Sequence, residues 1–374
     1  MDYYDVIIVG AGPAGATLAR ALEGAGKQVL IIDKAKFPRD KTCAGWVTPA
    51  VLASLDIDTT GYGNGRTLQP IRRFRIGMMG QDAVENDHGE VVSYGIRRCE
   101  FDDYLLGRVS CTKQLGTPVK SITRDNGNWV INEQWQAPLL VGAGGHFCPV
   151  ARQLGNGPGK HETVVAAKEV EFEMTPEQAR ACEARGDTPE LWFCRDLKGY
   201  AWVFRKGSYL NIGLGREDNH RLTDHLEAFV EDMKQAGRIP ADLPGRFKGH
   251  AYLLYAHADR PLVDDGVLLI GDAAGLAYTQ SGEGIRPAIE SALMAAKVIQ
   301  EAPDYSAVSL QSYGEQIAAR FGNRASEQEH GFDLPEWLKQ PIASTLMRSH
   351  WFTRKVVTEK WFLHQQVPPL DMAV

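Results

Sequence analysis

Residues able to do chemistry stand almost at the start of the chain. Gly10-Ala11-Gly12-Pro13-Ala14-Gly15 is a GxGxxG run, and Asp33 lies 23 positions after its first glycine. Gly10 permits a tight turn, Gly12 lets backbone N–H groups approach a pyrophosphate, and Gly15 allows a helix to pack closely on a strand. Pro13 and Ala14 open that helix, whose N-terminus carries partial positive charge suited to phosphate. Asp33 can accept hydrogen bonds from the ribose hydroxyls of an adenosine. The pattern predicts a dinucleotide held at the tip of the first strand.

A second constellation lies far along the chain, in Leu269-Ile270-Gly271-Asp272-Ala273-Ala274-Gly275 and then Ser281-Gly282-Glu283-Gly284-Ile285. Gly271-Asp272 closes a short apolar strand, which places the Asp272 carboxylate where it can bind ribityl hydroxyls. The stretch Gly282, Glu283, Gly284 feeds a helix beginning near Ile285. The positive end of that helix can face N1 and the C2 carbonyl of a flavin and stabilise its anionic reduced form. Taken with the first motif, this one implies FAD rather than NAD.

Other residues carry weaker signals. Cys43 sits in Lys41-Thr42-Cys43-Ala44-Gly45-Trp46. By residue type alone a cysteine is more often a small buried hydrophobe than a chemical group. Tyr200, Trp202 and Phe204 alternate along a predicted strand and share one face, which suits an apolar or aromatic substrate wall as well as core packing. His146 and Cys148 are near neighbours, but two residues do not make a metal site, and a structural role is expected. No GxSxG or HExxH motif is present.

These residues need elements to hold them. Tyr4–Val9 reads as a buried strand, followed by a helix with Leu18, Leu22 and alanines at helical spacing, then a second strand from Gln28 to Ile32. This is a βαβ unit of about 30 residues. Residues 34–96 are less regular: a long connection, then strand-like stretches around Arg72–Met78 and Val91–Tyr94. A helix is predicted over Phe101–Arg108, strands over Val119–Arg124, Trp129–Asn132 and Leu139–Gly142, and an antiparallel set over Val164–Phe172, Leu191–Phe193, Tyr200–Arg205 and Tyr209–Leu214. A helix near Thr223–Gln235 interrupts that set. The strand Val267–Ile270 and a helix over Gly284–Ile299 return to the first domain, and the tail from 305 reads as helical and aromatic. The fold class is α/β. A Rossmann-type FAD-binding domain with a central parallel sheet (1–75 with 96–160 and 262–300) is interrupted by a mostly antiparallel β substrate domain (76–95 with 161–261). A helical C-terminal region (301–374) follows.

Composition narrows the classes. The chain has 374 residues, 44% hydrophobic and 24% charged, enough for two globular domains. Its net charge of −6 argues against nucleic acid as a partner. No apolar run reaches the 18 or so residues of a membrane span, no signal peptide is visible, and the cysteines form no CxxC pair. Cytoplasmic residence with reduced thiols is expected.

The two cofactor motifs together resemble those of the glutathione-reductase-type flavoproteins, in the branch with p-hydroxybenzoate hydroxylase and the geranylgeranyl reductases. Arg98-Cys99-Glu100-Phe101-Asp102 is similar to the family's Arg-x-x-Phe-Asp element, whose arginine approaches the FAD. Residues 41–46 resemble the reductases' Lys-x-Cys-Gly-Gly loop. Gly199–Gly207 resembles their Tyr-x-Trp-x-Phe-Pro-x-Gly substrate motif. The resemblance spans roughly residues 4–300 and implies FAD contacts from the motif residues, with Lys34 and Val119 added, and substrate contacts from Trp46, Tyr200, Trp202 and Phe204. It places Cys43 near the flavin, where its thiol either donates a proton during alkene reduction or lines the pocket. Two departures stand out: Arg205 replaces the motif's proline, and Gly144-Gly145 replaces the usual Asp-Gly. Trp46 also replaces a small residue.

The resemblance implies an enzyme that transfers hydride from reduced flavin to an alkene of an apolar substrate. The alternative is a monooxygenase, or a halogenase, in which reduced flavin and oxygen form a C4a-hydroperoxide. A third reading, a flavin-bearing sensor without turnover, is kept open by the missing aspartate. There is no second GxGxxG, so the electron donor is NAD(P)H bound transiently or a ferredoxin-like protein. The tail covers the active site, forms a dimer surface or touches a membrane peripherally, and the sequence leaves these open. Replacing Gly12 by valine is expected to abolish FAD retention, because the branched side chain would occupy the pyrophosphate's place; the visible absorbance of the purified variant reads this directly.

Overall fold

The computed structural model describes residues 1–155, 164–218, 221–324 and 335–370. The predicted domain boundary near 160 lies outside the described residues. Val6–Val9 is a run of four buried aliphatic residues, and Val29–Asp33 pairs with it in parallel, Ile7 opposite Leu30 and Val9 opposite Ile32. Leu139–Gly142 flanks it on the other side, and Val267–Leu269 pairs next, both in parallel. Thr112–Leu115 and Val263–Asp264 complete a six-stranded sheet. Strands buried on both faces read as unbroken apolar runs, as the four central strands do, while the edge strands Thr112–Leu115 and Val263–Asp264 do not.

The helix Pro13–Ala21 packs on this sheet and against the long helix Ile285–Glu301. Two backbone approaches bring it so close. Gly10 has φ +117, and a side chain there would run into the Ala143 carbonyl of the neighbouring strand's loop. A Cβ on Gly15 would collide with the Gly10 carbonyl.

A second sheet has seven strands in the order Lys248–Leu253, Val164–Glu173, Tyr209–Arg216, Gly199–Lys206, Glu190–Phe193, Arg73–Met78 and Val84–Asp87. All its pairings are antiparallel except that between Glu190–Phe193 and Arg73–Met78. The strand Arg73–Met78 starts three residues before the 76–95 segment expected to enter the substrate domain. The stretch 34–96, expected to be less regular with strands around Arg72–Met78 and Val91–Tyr94, has strands at Arg73–Met78 and Ser93–Ile96 and also contains the helices Pro49–Ser54 and Thr59–Gly63, with Ser93–Ile96 between Trp46–Val47 and Leu68–Ile71 in a small sheet. The added elements are too short to show a periodicity. The helix expected at Phe101 begins at Arg98, and the strand expected at Val119 begins at Ile122.

The tail is helical, in the segments Ala307–Phe321, Glu336–Met347, His350–Phe352 and the π-helix Thr353–Phe362. The second of these packs on the strand Arg73–Met78, and the last two on Val84–Asp87. Among the described residues no helix is long and apolar enough to cross a membrane. Gly10→Ala is expected to destabilise the chain by about 2 kcal/mol or more through strain and overlap, measured as a lower denaturant midpoint with an unchanged slope.

Candidate active site

One cleft of about 370 Å³ runs from the carboxyl ends of the parallel strands to the face of the seven-stranded sheet. Gly12, Pro13 and Ala14 line its first end beside Asp33 and Lys34. Asp33 anchors the glycine loop: one carboxylate oxygen accepts from Ala11 N–H at 2.7 Å and the other from Ala35 N–H at 2.8 Å. Facing them, Asp272 lies against the N-terminus of the helix Ile285–Glu301, its Oδ1 2.8 Å from where a Cβ on Gly284 would stand. Gly282, Gly284 and Ile285 line the same wall. Glu283 caps this helix, accepting from Arg286 N–H at 2.7 Å. Burial pushes its carboxyl up to about 7.

Cations crowd the middle of the cleft. Arg98 donates twice to Asp102, at 2.8 Å each, across one turn of its own helix. Arg39 reaches the same carboxylate at 3.1 Å from a different loop. Burial opposes the charge on Arg98, but Asp102 and the neighbouring Cys43 sulfur hold its pKa above the usual value. Lys41 meets the Nε2 of His250. Burial pushes the Lys41 ammonium down to about 8, with repulsion from Arg98 and Arg39 adding and Asp272 opposing. Burial, Lys41 and Arg98 push His250 down to about 3, so it is neutral and accepts.

This end fits the diphosphate of FAD. Arg39 has a buried Nη1 without a partner, and its Nη2 stands 3.4 Å from where a Cβ on Gly12 would be. An orphaned guanidinium nitrogen over a bare glycine at a helix N-terminus is a seat for an anion. Apart from that contact Gly12 has room, so valine there tests the ligand rather than the fold.

The loop of Cys43 is clamped from behind. Cys43 N–H donates to Glu169 at 2.7 Å, and Asn211 Nδ2 donates to the Cys43 carbonyl at 3.2 Å. Asn211 in turn accepts from the Trp202 indole at 2.7 Å. Lys206, with 1% of its side chain exposed, pairs with Glu171 at 2.8 Å. Gly45 has φ +70, and any side chain there would strike Ile96 and the Lys206 ammonium. The Cys43 sulfur accepts from Gly45 N–H at 3.4 Å and faces the cleft.

Beyond Cys43 the cleft is aromatic. Tyr200, Trp202 and Phe204 all line it, with Leu191, Tyr252 and Trp46. Trp46 meets Phe204 and Phe362 edge-on at 5.4 Å each, and Phe362 meets Tyr200 at 5.3 Å. The Tyr200 hydroxyl donates to the Ser281 carbonyl, tying the sheet to the loop before Ile285. The chain after Phe362 is then strapped down. His364 stacks on Tyr278 at 3.6 Å, and Arg286 donates to the carbonyls of Val367 and Pro368 at 2.8 and 2.9 Å.

The structure thus brings Gly12, Pro13, Ala14, Asp33, Lys34, Arg98, Asp272, Gly282, Gly284, Ile285, Cys43, Trp46, Tyr200, Trp202 and Phe204 to one cleft. Gly10, Gly15 and Gly271 do not line it; they are the close-packing points behind it. Val119 is not brought there. It is half-buried against the main core, ahead of the strand Ile122–Asp125. Of the departures, Arg205 turns away from the cleft and donates to the carbonyls of Ala179, Cys182 and Ala184 at 3.2–3.3 Å. Gly144 lines the cleft where Cys148 leaves no slack, its Sγ only 3.2 Å from where a Cβ would sit. His146 is buried, and its carbonyl accepts from Arg260 at 3.3 Å. Sequence reasoning missed Arg39, His250, Glu169 and Asn211, while Phe362 comes from the aromatic tail, for which covering the active site was one of the open readings. Each of those missed comes from an element whose local pattern carries no functional signal, and only Asp102, inside the Arg-x-x-Phe-Asp element, was within reach.

An FAD binding domain model matches residues 3–57. Menaquinone reductase of Mycobacterium tuberculosis is 29% identical over 80% of this chain and 77% of its own. Digeranylgeranylglycerophospholipid reductase of Thermoplasma acidophilum is 26% identical over 92% and 88%. The crystal structure of a geranylgeranyl bacteriochlorophyll reductase-like protein from the same organism superposes with a TM-score of 0.73 at 22% identity, covering 93% of this chain and 88% of that one. The chain is an FAD-dependent oxidoreductase, similar over most of its length to these reductases.

The clamp behind Cys43 gives this flavoenzyme a pH signature. Burial pushes Glu169 up to about 7, with Cys43 N–H, Lys206 and Asn211 pulling it down and Glu171 pushing it up. The folded chain therefore holds a proton that the unfolded chain releases near its ordinary value of 4.5. Stability from this group is full below that value and is lost as the pH rises through about 7. Glu169→Gln keeps an acceptor for Cys43 N–H and carries no charge. Relative to the parent, its apoprotein should gain on the order of 1 kcal/mol as the pH rises across that window, read from melting temperatures along a pH series.

Proposed function

We propose that this flavoenzyme reduces a carbon–carbon double bond of an apolar substrate, in the manner of the geranylgeranyl reductases. The observation that carries the reading is the aromatic wall of Tyr200, Trp202, Phe204, Trp46 and Phe362 meeting Cys43 in the cleft whose other end fits a dinucleotide. The names of the two reductases above, for a prenylated phospholipid and a quinone, favour reduction. In this reading residues 1–75, 96–160 and 262–300 hold the cofactor, and 76–95 with 161–261 present the substrate.

Bound FAD would supply two-electron hydride chemistry. The protein does the rest. Gly12 N–H, Arg39 and the start of the helix at Pro13 hold the diphosphate, Asp33 and Lys34 the adenosine end, and Asp272 the ribityl chain. The N-terminus of the helix Ile285–Glu301 stabilises negative charge on the ring. The aromatic wall orients an apolar chain and excludes water. Cys43, its backbone clamped by Glu169 and Asn211, holds its thiol at the junction of the two halves and delivers the proton to the second alkene carbon. Electrons arrive from a transient donor, NAD(P)H or a ferredoxin-like protein. The six cysteines, all unpaired, support a reducing, cytoplasmic setting.

Anaerobic stopped-flow mixing of the reduced holoenzyme with geranylgeraniol tests this. Reoxidation at the flavin absorbance with a saturated product is expected, slowed about a hundredfold in Cys43→Ala. No reoxidation by geranylgeraniol without oxygen, but a hydroxylated product once oxygen is admitted with it, would establish the monooxygenase reading in its place.

A further inference from the structure

Glu283 stands on the cleft wall between two fixed points. On one side, Asp272 Oδ1 lies 2.8 Å from where a Cβ on Gly284 would stand. On the other, the Tyr200 hydroxyl donates to the Ser281 carbonyl. Asp272 marks the ribityl end of the proposed cofactor seat and Tyr200 the aromatic wall. The flavin ring joins those two ends, so in that seating it passes alongside Glu283. The carboxyl of Glu283 is only half used. Its Oε1 accepts from Arg286 N–H at 2.7 Å, whereas its Oε2 is buried with no hydrogen-bond partner. A buried carboxylate oxygen without a donor or a cation is costly, and the neutral acid is far less so.

The guanidiniums of this helix are committed elsewhere. Arg286 binds Glu290 at 2.8 Å and the carbonyls of Val367 and Pro368, and Arg320 takes the same Glu290 at 2.6 and 2.9 Å. The remaining groups around Glu283 keep one protonation state near neutral pH. Tyr278, whose N–H donates to the Glu283 carbonyl at 3.0 Å, and Tyr200 across the cleft are both pushed up by burial, with Glu283 adding. Burial pushes His364 down to about 4, so it is neutral. Lys41 holds its proton below about 8. Burial, with Glu290 adding and Arg286 opposing, pushes Glu283 itself up to about 7. Among these groups Glu283 is the one that changes charge at neutrality.

We propose that Glu283 takes up a proton when the flavin is reduced, through the oxygen that has no partner. The donor gives up two electrons. These and one proton go to the flavin, and the negative charge left on the ring drives a second proton onto Glu283 Oε2, because a nearby like charge favours the neutral acid. Two protons then enter per electron pair where the flavin alone takes one, and Glu283 releases its own on reoxidation. This role rests on the proposed seating of the ring and not on which substrate takes the hydride.

The midpoint potential of the FAD-loaded full chain is measured against a reference dye over one pH unit on either side of about 7. Each proton taken per electron pair contributes about 30 mV per pH unit. Glu283→Gln, which keeps the oxygen that caps Arg286 N–H, is expected to fall by about 60 mV along a straight line, and Glu283→Ala should match it. The parent should steepen through the middle of the range and fall by about 90 mV, the extra 30 mV or so being a tenfold change in the redox equilibrium. Protonation of the reduced flavin itself would make the line flatten with rising pH, so the direction of the bend identifies its source. Glu169 also titrates at about 7 but stands behind the Cys43 loop, so Glu169→Gln should keep the bend. A straight parent line overturns the proposal without any variant. So does a bend that survives in Glu283→Gln or disappears in Glu169→Gln. Retention of FAD by Gly12→Val would instead sink the seating of the cofactor, and this role with it.

Discussion

Asp102 has no exposed side-chain surface and receives two guanidiniums, Arg98 from its own helix and Arg39 from the loop opposite. A buried carboxylate is tolerable only when paired, and a guanidinium only when its donors are used. One carboxylate cannot satisfy both guanidiniums, and an Arg39 nitrogen is left without a partner. Beside them, burial pushes the Lys41 ammonium down to about 8, with repulsion from Arg98 and Arg39 adding. Positive charge assembled around bare glycine backbone sets the demand for an anion, and the rest of the site is arranged about it. The diphosphate of FAD meets that demand with two charges and several acceptors.

The second constraint joins the two sheets. The Cys43 loop belongs to the cofactor side, yet its backbone is held by Glu169 and Asn211, which stand on neighbouring strands of the seven-stranded sheet. A buried polar network of this kind is costly if any member goes unmet. It therefore specifies one position of the loop relative to the aromatic wall. The thiol is placed by hydrogen bonds to its backbone, which leaves the sulfur available to the cleft. A neutral Glu169 satisfies the same contact at a lower desolvation cost, which is why burial drives its titration upward.

The tail closes the third side. Phe362 completes the aromatic wall, and Arg286 and Arg320, sharing the buried Glu290, bind the carbonyls that follow it. The strap is thus tied to the helix whose N-terminus faces the cofactor end. One helix carries both the electrostatics of the ring site and the anchor of the segment that shields it.

What the sequence by itself determined was local. GxGxxG after a buried strand, Asp33 at the end of the next, and Gly271-Asp272 before a Gly-rich helix start are short-range patterns whose steric reasons act within a few residues. So was the alternation of Tyr200, Trp202 and Phe204, because a strand's two faces follow from its period of two. What only the tertiary structure decided was which distant groups meet. Glu169 in a strand of alternating charge, His250 on an edge strand and Phe362 in an irregular helix carry no local mark of their partners. Nor does Arg205, which stands where the substrate motif has proline and whose guanidinium binds the carbonyls of Ala179, Cys182 and Ala184. Pairing across 126 residues, as between Cys43 and Glu169, depends on how sheets pack and on which buried charges must be satisfied, and neither is encoded in any one window of the chain.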